Sequence, residues 1–387
     1  AEGWAQDKET AMDFDFSDEQ EQLREAVRRW AERAHGFERH RAIVRDEGGD
    51  SAAVWAELAG LGLTALAVPQ AHGGLDFGPV EAMVVMEELG RGRVGAPYAA
   101  AALVAPVLLS GAPEALQAAW LPRIASGDAR VVLAHQESGA RYRLDRVETR
   151  LAAADGGWRL SGRKSLVPVG DRAEAFVVSA RDDDGRLALA LVERDAPGVT
   201  ARGHLLHDGT RAAELTWQDA PAQRLSAAGT DALPALEHAA DVAIAALCAE
   251  AVGLMDFLVA LTADYLKTRR QFGVPIASFQ ALRHRLADCK MALELARSMS
   301  YLATLRLADA PELRRRAVAQ AKVQLGQSMR FVGQQCVQMH GGIGVTDDYV
   351  GAHAFKRLTC MELQWGDTLH HLGEVSAQMQ DTAGVFG

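Results

Sequence analysis

The chain opens with polar and apolar positions arranged at a helical period. Ser17-Asp18-Glu19-Gln20 is a capping-box pattern: Ser17 can accept a bond from an early helix amide, Gln20 can return one, and Leu23, Val27 and Trp30 follow as a helical stripe. Helical patterns continue through residues 55–66 and 81–89, on either side of the turn His72-Gly73-Gly74. They predict an all-α domain over residues 12–130, with residues 1–11 as a polar extension ahead of Met12.

From Val131 the period changes. Short runs rich in Val, Leu and Phe (131–134, 175–180, 187–192, 213–217) alternate with Gly and Asp clusters such as Asp155-Gly156-Gly157. This spacing predicts an antiparallel sandwich or barrel over residues 131–227 and leaves no room for the helices of a doubly wound parallel sheet. Beyond it the helical period returns. Ile244, Leu247, Ala251, Leu254, Leu258, Leu261 and Tyr265 alternate spacings of three and four, the seam of a helix packed against near-antiparallel neighbours. Phe279, Leu282, Leu286, Cys289 and Leu293 repeat it, as do Leu325, Met329, Val332, Cys336 and Met339, so residues 228–387 read as a helix bundle. The fold class expected is α+β multidomain: helical domain, β domain, helical bundle.

Composition narrows the possible partners. The 387 residues carry 41 Lys and Arg against 51 Asp and Glu, a net charge of −10 that disfavours general nucleic-acid binding while allowing a local basic pocket for a small anion. Cys248, Cys289, Cys336 and Cys360 have neither C-x-x-C nor zinc spacing and read as reduced core thiols, which points to the cytoplasm. Residues 94–112 carry no charge, but Pro97 and Pro106 interrupt them, so a buried helix pair is expected there and no membrane insertion. Gly60-Leu61-Gly62-Leu63-Thr64-Ala65 matches a dinucleotide fingerprint in letters only, because it follows a helix where the mechanism needs a strand. His204 with His207, and His370 with His371, lack the further ligands a metal site requires, so no metal is expected.

Two segments are harder to explain by packing. Arg269-Arg270-Gln271-Phe272-Gly273 concentrates two guanidiniums, an amide and an aromatic ring at a helix end, which suits either a phosphate-bearing ligand or a solvated terminus. Gln338-Met339-His340-Gly341-Gly342-Ile343-Gly344 places three glycines directly after a helix, where a C-cap turn explains only one. Together they suggest a pyrophosphate clamp.

With the α–β–α order, these segments resemble the acyl-CoA dehydrogenase family. Val68-Pro69 with Gly73-Gly74, Glu87-Glu88-Leu89-Gly90-Arg91, residues 121–127, and Tyr265 to Gly273 with Phe279-Gln280 fall in the family's order. The resemblance implies a four-helix C-terminal bundle and an FAD. The flavin ring would be held by the β domain and the ADP half clasped by the bundle of a neighbouring subunit. Arg269, Gln271, Phe272 and Gln280 match that clasp from one helix pair, and Gln338, Gly341 and Gly342 match its glycine turn. A homo- or hetero-oligomer, dimer or tetramer, and an acyl-CoA thioester follow as partners.

The resemblance fails where the flavin ring and the base belong. The family's Thr-Glu-Pro and Gly-Ser-Asp are replaced by Gln136-Glu137-Ser138 and Arg141-Tyr142-Arg143, and its Trp-Ile-Thr by Leu166-Val167-Pro168. The usual catalytic Glu falls on Trp365, and the alternative location, about ten residues before Gly253, falls on Ala243. Indole only donates and cannot take the α-proton of a thioester. Glu362, Asp367, Asp241 and Glu250 are the carboxylates left to consider as replacements. Three readings stand open: a non-catalytic subunit clasping its partner's FAD, similar to the small subunits of heteromeric enzymes acting on dicarboxylyl or steroid side-chain thioesters; an active homomer with a different base; or non-redox thioester chemistry on the same fold.

Overall fold

The structure, a computed structural model, describes residues 16–154 and 156–383; the expected N-terminal extension and Asp155 lie outside the described residues. The N-terminal helices are α1 (Asp18–Ala34), α2 (Phe37–Asp46), α3 (Ala52–Gly60), α4 (Pro79–Arg91), α5 (Ala105–Ser110) and α6 (Glu114–Ala125). Both halves of the Ser17–Gln20 capping box form. The helical pattern of residues 55–66 is broken by Gly62, whose φ of +76° ends α3 before a short 3₁₀ turn. That places the fingerprint-like glycines at a helix end, where they form no phosphate loop. Within residues 94–112, positions 98–110 form one buried helical rod in place of the expected pair. A π-helical turn, Ala99–Val104, runs directly into α5 and accommodates Pro106, which has no N–H to give.

The β domain comprises β1 (Val131–Ala134), β2 (Arg150–Ala154), β3 (Gly157–Pro168), β4 (Ala175–Arg181), β5 (Leu187–Glu193), β6 (Val199–Leu205) and β7 (Arg211–Arg224) in one seven-stranded sheet. Pairing is mostly antiparallel, as the spacing predicts, but β1 runs parallel to β4, with Val131 opposite Ala175. Strands β1 and β4 show no hydrophobic alternation because both of their faces are covered. Val132, Phe176 and Val178 enter the core shared with the N-terminal helices, whereas Val131, Leu133, Ala175 and Val177 enter a second core under α5, α6 and the next helix.

That helix, α7 (Leu233–Thr268), leads through the small hairpin β8 (Arg270–Gln271) and β9 (Val274–Pro275) to α8 (Gln280–Leu305), α9 (Pro311–His340), α10 (Val350–Leu363) and α11 (Thr368–Ala383). The periodic seams meet in a third core containing Leu247, Leu254, Leu258, Leu293, Leu325 and Val332. By length and hydropathy α7 could cross a membrane, yet 83% of its most apolar window is buried in the fold. It is the central core helix.

Besides the α4–α7 crossing, the N-terminal domain meets the bundle at a row of histidines packed edge to face. His35 after α1 faces His40 of α2 edge-on at 6.3 Å, and His40 faces His353 of α10 at 5.3 Å. His35 is 2% exposed, and neither of its ring nitrogens has a partner among the described residues. Burial pushes His35 and His40 down to about 4, with help from each other's rings and nearby arginines for the first and from His353 and Arg93 for the second. The folded state therefore binds fewer protons than the unfolded chain between pH 6.5 and 4. The stability these groups contribute is complete above pH 6.5 and falls as the pH drops through that window. Urea unfolding at pH 7 and pH 5 should show a pronounced loss at the lower pH. The variant His35→Leu should reduce that pH dependence by about one proton's worth.

Candidate functional site

A cavity of about 1120 Å³ opens where the N-terminal helices, the sheet and the bundle converge. Met86 and Leu89 of α4, Tyr98 to Ala100, and Ile244 and Leu247 of α7 form its apolar side. His135 and Gln136 after β1, Arg141 to Arg143, and Leu166 to Pro168 on β3 form the sheet side. Trp365 enters from the elbow between α10 and α11. Its ring lies flat on the His135 imidazole, with centroids 4.4 Å apart and planes within 5°. Burial and the nearby Lys164 push His135 down to about 3, so it is neutral near pH 7.

The elbow holds Trp365 in place. Trp365 has a φ of +59°, a conformation side chains rarely adopt, and three contacts over-determine it. Lys322 of α9, fully buried, donates to the carbonyls of Met361 (3.0 Å) and Glu362 (2.9 Å) and caps α10. Glu362 Oε1 accepts from Thr368 N (3.1 Å) and Oγ1 (2.6 Å), which starts α11. His371 Nε2 donates to the Trp365 carbonyl at 2.9 Å.

The candidate replacement bases are each engaged. Glu362 also accepts from Arg330 at 3.2 Å. Asp367 accepts from His370 N at 2.8 Å and lies 3.5 Å from the Tyr142 hydroxyl. Glu250 takes a two-pronged bond from Arg357 (2.8 and 2.9 Å), which also holds Asp208. Asp241 pairs with Arg314 at 2.8 Å, yet burial lifts it above the usual carboxylate range in spite of that cation. Of the four, Asp241 and Glu250 line the cavity, while Glu362 and Asp367 serve the elbow. His370 and His371 pack on each other and on the elbow, and no group of three or more metal-ligating side chains exists among the described residues.

The clasp residues lie away from this cavity at one end of the bundle. Arg269, Gln271, Phe272, Gln280, Gln338, Gly341 and Gly342 are all exposed in the single chain. Phe272 is 89% exposed at the tip of the β8–β9 hairpin with its ring edge-on to Phe279, while the Arg269 guanidinium has no hydrogen-bond or ion-pair partner among the described residues. The glycine turn packs beside them, since the Tyr265 hydroxyl donates to the His340 carbonyl at 3.3 Å. Gly341 needs its freedom for a φ of +66°. Gly342 has no such need, and a Cβ built there meets nothing within 4 Å, so open space lies over this part of the turn. Sequence reasoning missed Tyr265's second role, Lys322 and His135, because each acts through a partner distant in sequence.

A helical domain, a β domain and a helical bundle around a shared cavity define the class, and comparison with known proteins agrees. Residues 17–128, 133–219 and 234–379 match the N-terminal, middle and C-terminal domains of acyl-CoA dehydrogenase. The chain belongs to the acyl-CoA dehydrogenase family. Acyl-CoA dehydrogenase FadE12 of Mycobacterium tuberculosis is 30% identical over 373 residues, covering 88% of this chain and 90% of its own. A variant of the Tcur3481-Tcur3483 steroid ACAD is 31% identical with a TM-score of 0.86, covering 95% of this chain and 99% of that one. The ChsE4-ChsE5 complex from Mycobacterium tuberculosis is 26% identical with a TM-score of 0.88, covering 96% and 100%.

FAD is the cofactor this family membership indicates, and the two ends of the molecule fit it unequally. At the bundle end, an unpaired guanidinium, an exposed aromatic ring and a glycine with open space over it suit the pyrophosphate and adenine of its ADP half. At the cavity, Leu166 projects 44% exposed with a φ of +54°, and Pro168 has neither hydroxyl nor N–H to offer a flavin edge. The clasp fits; the ring platform does not.

Proposed function

We propose that this chain is a non-catalytic subunit of a heteromeric acyl-CoA dehydrogenase. Its clasp holds the ADP half of a partner chain's FAD, and the partner supplies the ring platform and the base. When bound, FAD would supply the hydride acceptor for desaturation of an acyl-CoA thioester, and a carboxylate would be needed to remove the α-proton. The observation that carries the reading is Trp365. It stands where the family has its glutamate, stacked on His135 in an elbow held by Lys322, Glu362 and His371. The exposed apolar side chains Met291, Leu295, Leu305, Val345 and Leu369 on the bundle support an assembly through that domain. So does the likeness to the Tcur3481-Tcur3483 steroid ACAD and the ChsE4-ChsE5 complex.

A second reading, an active homomer, rests on Asp241, a cavity-lining carboxylate whose proton affinity burial has raised. Flavin content separates the two. The purified chain, given excess FAD and freed of the unbound fraction, should show little of the visible flavin band. Co-expression with a family chain that has the glutamate should bring retention to one flavin per pair of chains. One flavin per chain in the protein alone, bleached by an acyl-CoA, would establish the homomer instead.

A further inference from the structure

The two halves of the clasp come from the ends of different helices, and their separation must be set by something that touches both. Tyr265, in the last turn of α7, does so. Its carbonyl accepts from Arg269 N at 2.8 Å and from Thr268 Oγ1 at 3.2 Å, closing α7 beneath the hairpin that carries Phe272. Its hydroxyl donates to the carbonyl of His340, the last residue of α9 before Gly341. The Tyr265 ring also lies 4.6 Å from the His340 imidazole, which has the Tyr349 ring 4.9 Å away. His340 is fixed in turn, since its Nδ1 donates to Cys336 O at 2.8 Å. On the far side of the turn, Gly344 sits so close to α9 that a Cβ would lie 2.7 Å from Val337 O.

The glycine turn is thus held by packing behind it and by one side-chain hydrogen bond from α7. We propose that Tyr265 is the positioning residue of the clasp: its hydroxyl fixes the Gly341–Gly342 amides at a set distance from Arg269 and Phe272, so that both halves can grip one dinucleotide. This rests on the reading that the clasp holds a partner's FAD. Tyr265 need not touch the cofactor, because it works through the two helix ends. The ring packs against His340 and the bundle core without help from the hydroxyl, so Tyr265→Phe should keep the fold.

The test uses the flavin-bearing assembly of this chain with its family partner and follows FAD release by the rise of flavin fluorescence on dilution. Tyr265→Phe should release FAD about fivefold faster, as expected for one lost neutral hydrogen bond, with assembly and thermal midpoint unchanged. Tyr265→Leu, which also removes the ring, should release it faster still. Release at the unaltered rate from Tyr265→Phe, while Arg269→Ala speeds it, would overturn the positioning role and leave the clasp standing. If Arg269→Ala has no effect either, the clasp reading itself falls.

Discussion

Lys164→Met should destabilise the β domain by about 3–5 kcal/mol, the cost typical of leaving one partner of a buried ion pair without its counter-charge. Lys164 sits in β3 with no exposure at all, and each of its ammonium donors is used: Glu137 Oε1 at 2.8 Å, Ser179 Oγ at 2.9 Å and His135 O at 3.1 Å. Glu137 accepts further bonds from Thr149 N and Oγ1 and from Glu148 N. Burial alone would raise the Glu137 carboxyl, but the ammonium and these donors hold it below the ordinary carboxylate range. The methionine variant fills most of the lysine's volume, so a cavity term contributes little and the loss is electrostatic. Urea unfolding followed by circular dichroism should show it. The pair Glu137→Gln with Lys164→Met should recover part of the stability, because the stranded charge is gone. A loss under about 1 kcal/mol for Lys164→Met would mean that water reaches the pair.

This network also shapes the cavity. It ties His135 and Glu137, after β1, to the β3 segment that continues into Leu166 and Pro168. The cavity wall that carries Leu166 and Pro168 is therefore rigidly built. Lys164 gave no such signal in the sequence. A lysine within a short strand reads as an exposed position, and its partners lie fifteen to twenty-nine residues away.

What was legible followed from local periodicity. Spacings of three and four along residues 244–265 leave a trace because every turn of one helix meets the same neighbours, and the capping box lies within four residues. The clasp was legible for a related reason: its arginines, aromatic ring and glycines fall in two short runs and face solvent. Contacts between distant segments were not. The parallel pairing of β1 with β4 spans more than forty residues, and the Trp365–His135 stack joins the β domain to the elbow between α10 and α11. Left-handed backbone at Leu166 and Trp365 was equally hidden, because nothing in those side chains favours it. The local record reaches as far as Trp365 itself; the long-range contacts show that its ring stacks on His135.

The largest effect on the fold is expected at the crossing of α4 and α7. Gly253→Ala should cost more than about 3 kcal/mol, and Gly253→Leu should leave no folded protein in solution. A Cβ at Gly253 would overlap the Glu87 carbonyl oxygen and reach 2.8 Å from Arg91 N, and one at Gly90 would overlap the Glu250 carbonyl oxygen. The two helices thus approach backbone to backbone at reciprocal glycines. Alanine's better helix propensity, about 1 kcal/mol over glycine, favours the substitution, but the clash is with main chain that has no rotamer to change. The clash wins, and the helices must part. Their separation would pull Glu87 from Arg297 and Arg91 from Asp256, and it would shift Met86 and Leu89 relative to Leu247 across the cavity. Gly373→Ala in α11 supplies the contrast, since a Cβ there meets nothing within 4 Å. It should raise stability by about 0.5–1 kcal/mol through the same propensity term. Thermal unfolding of both variants measures the two signs side by side. If Gly253→Ala melted with the parent chain, the close crossing would not be what holds the N-terminal domain against the bundle.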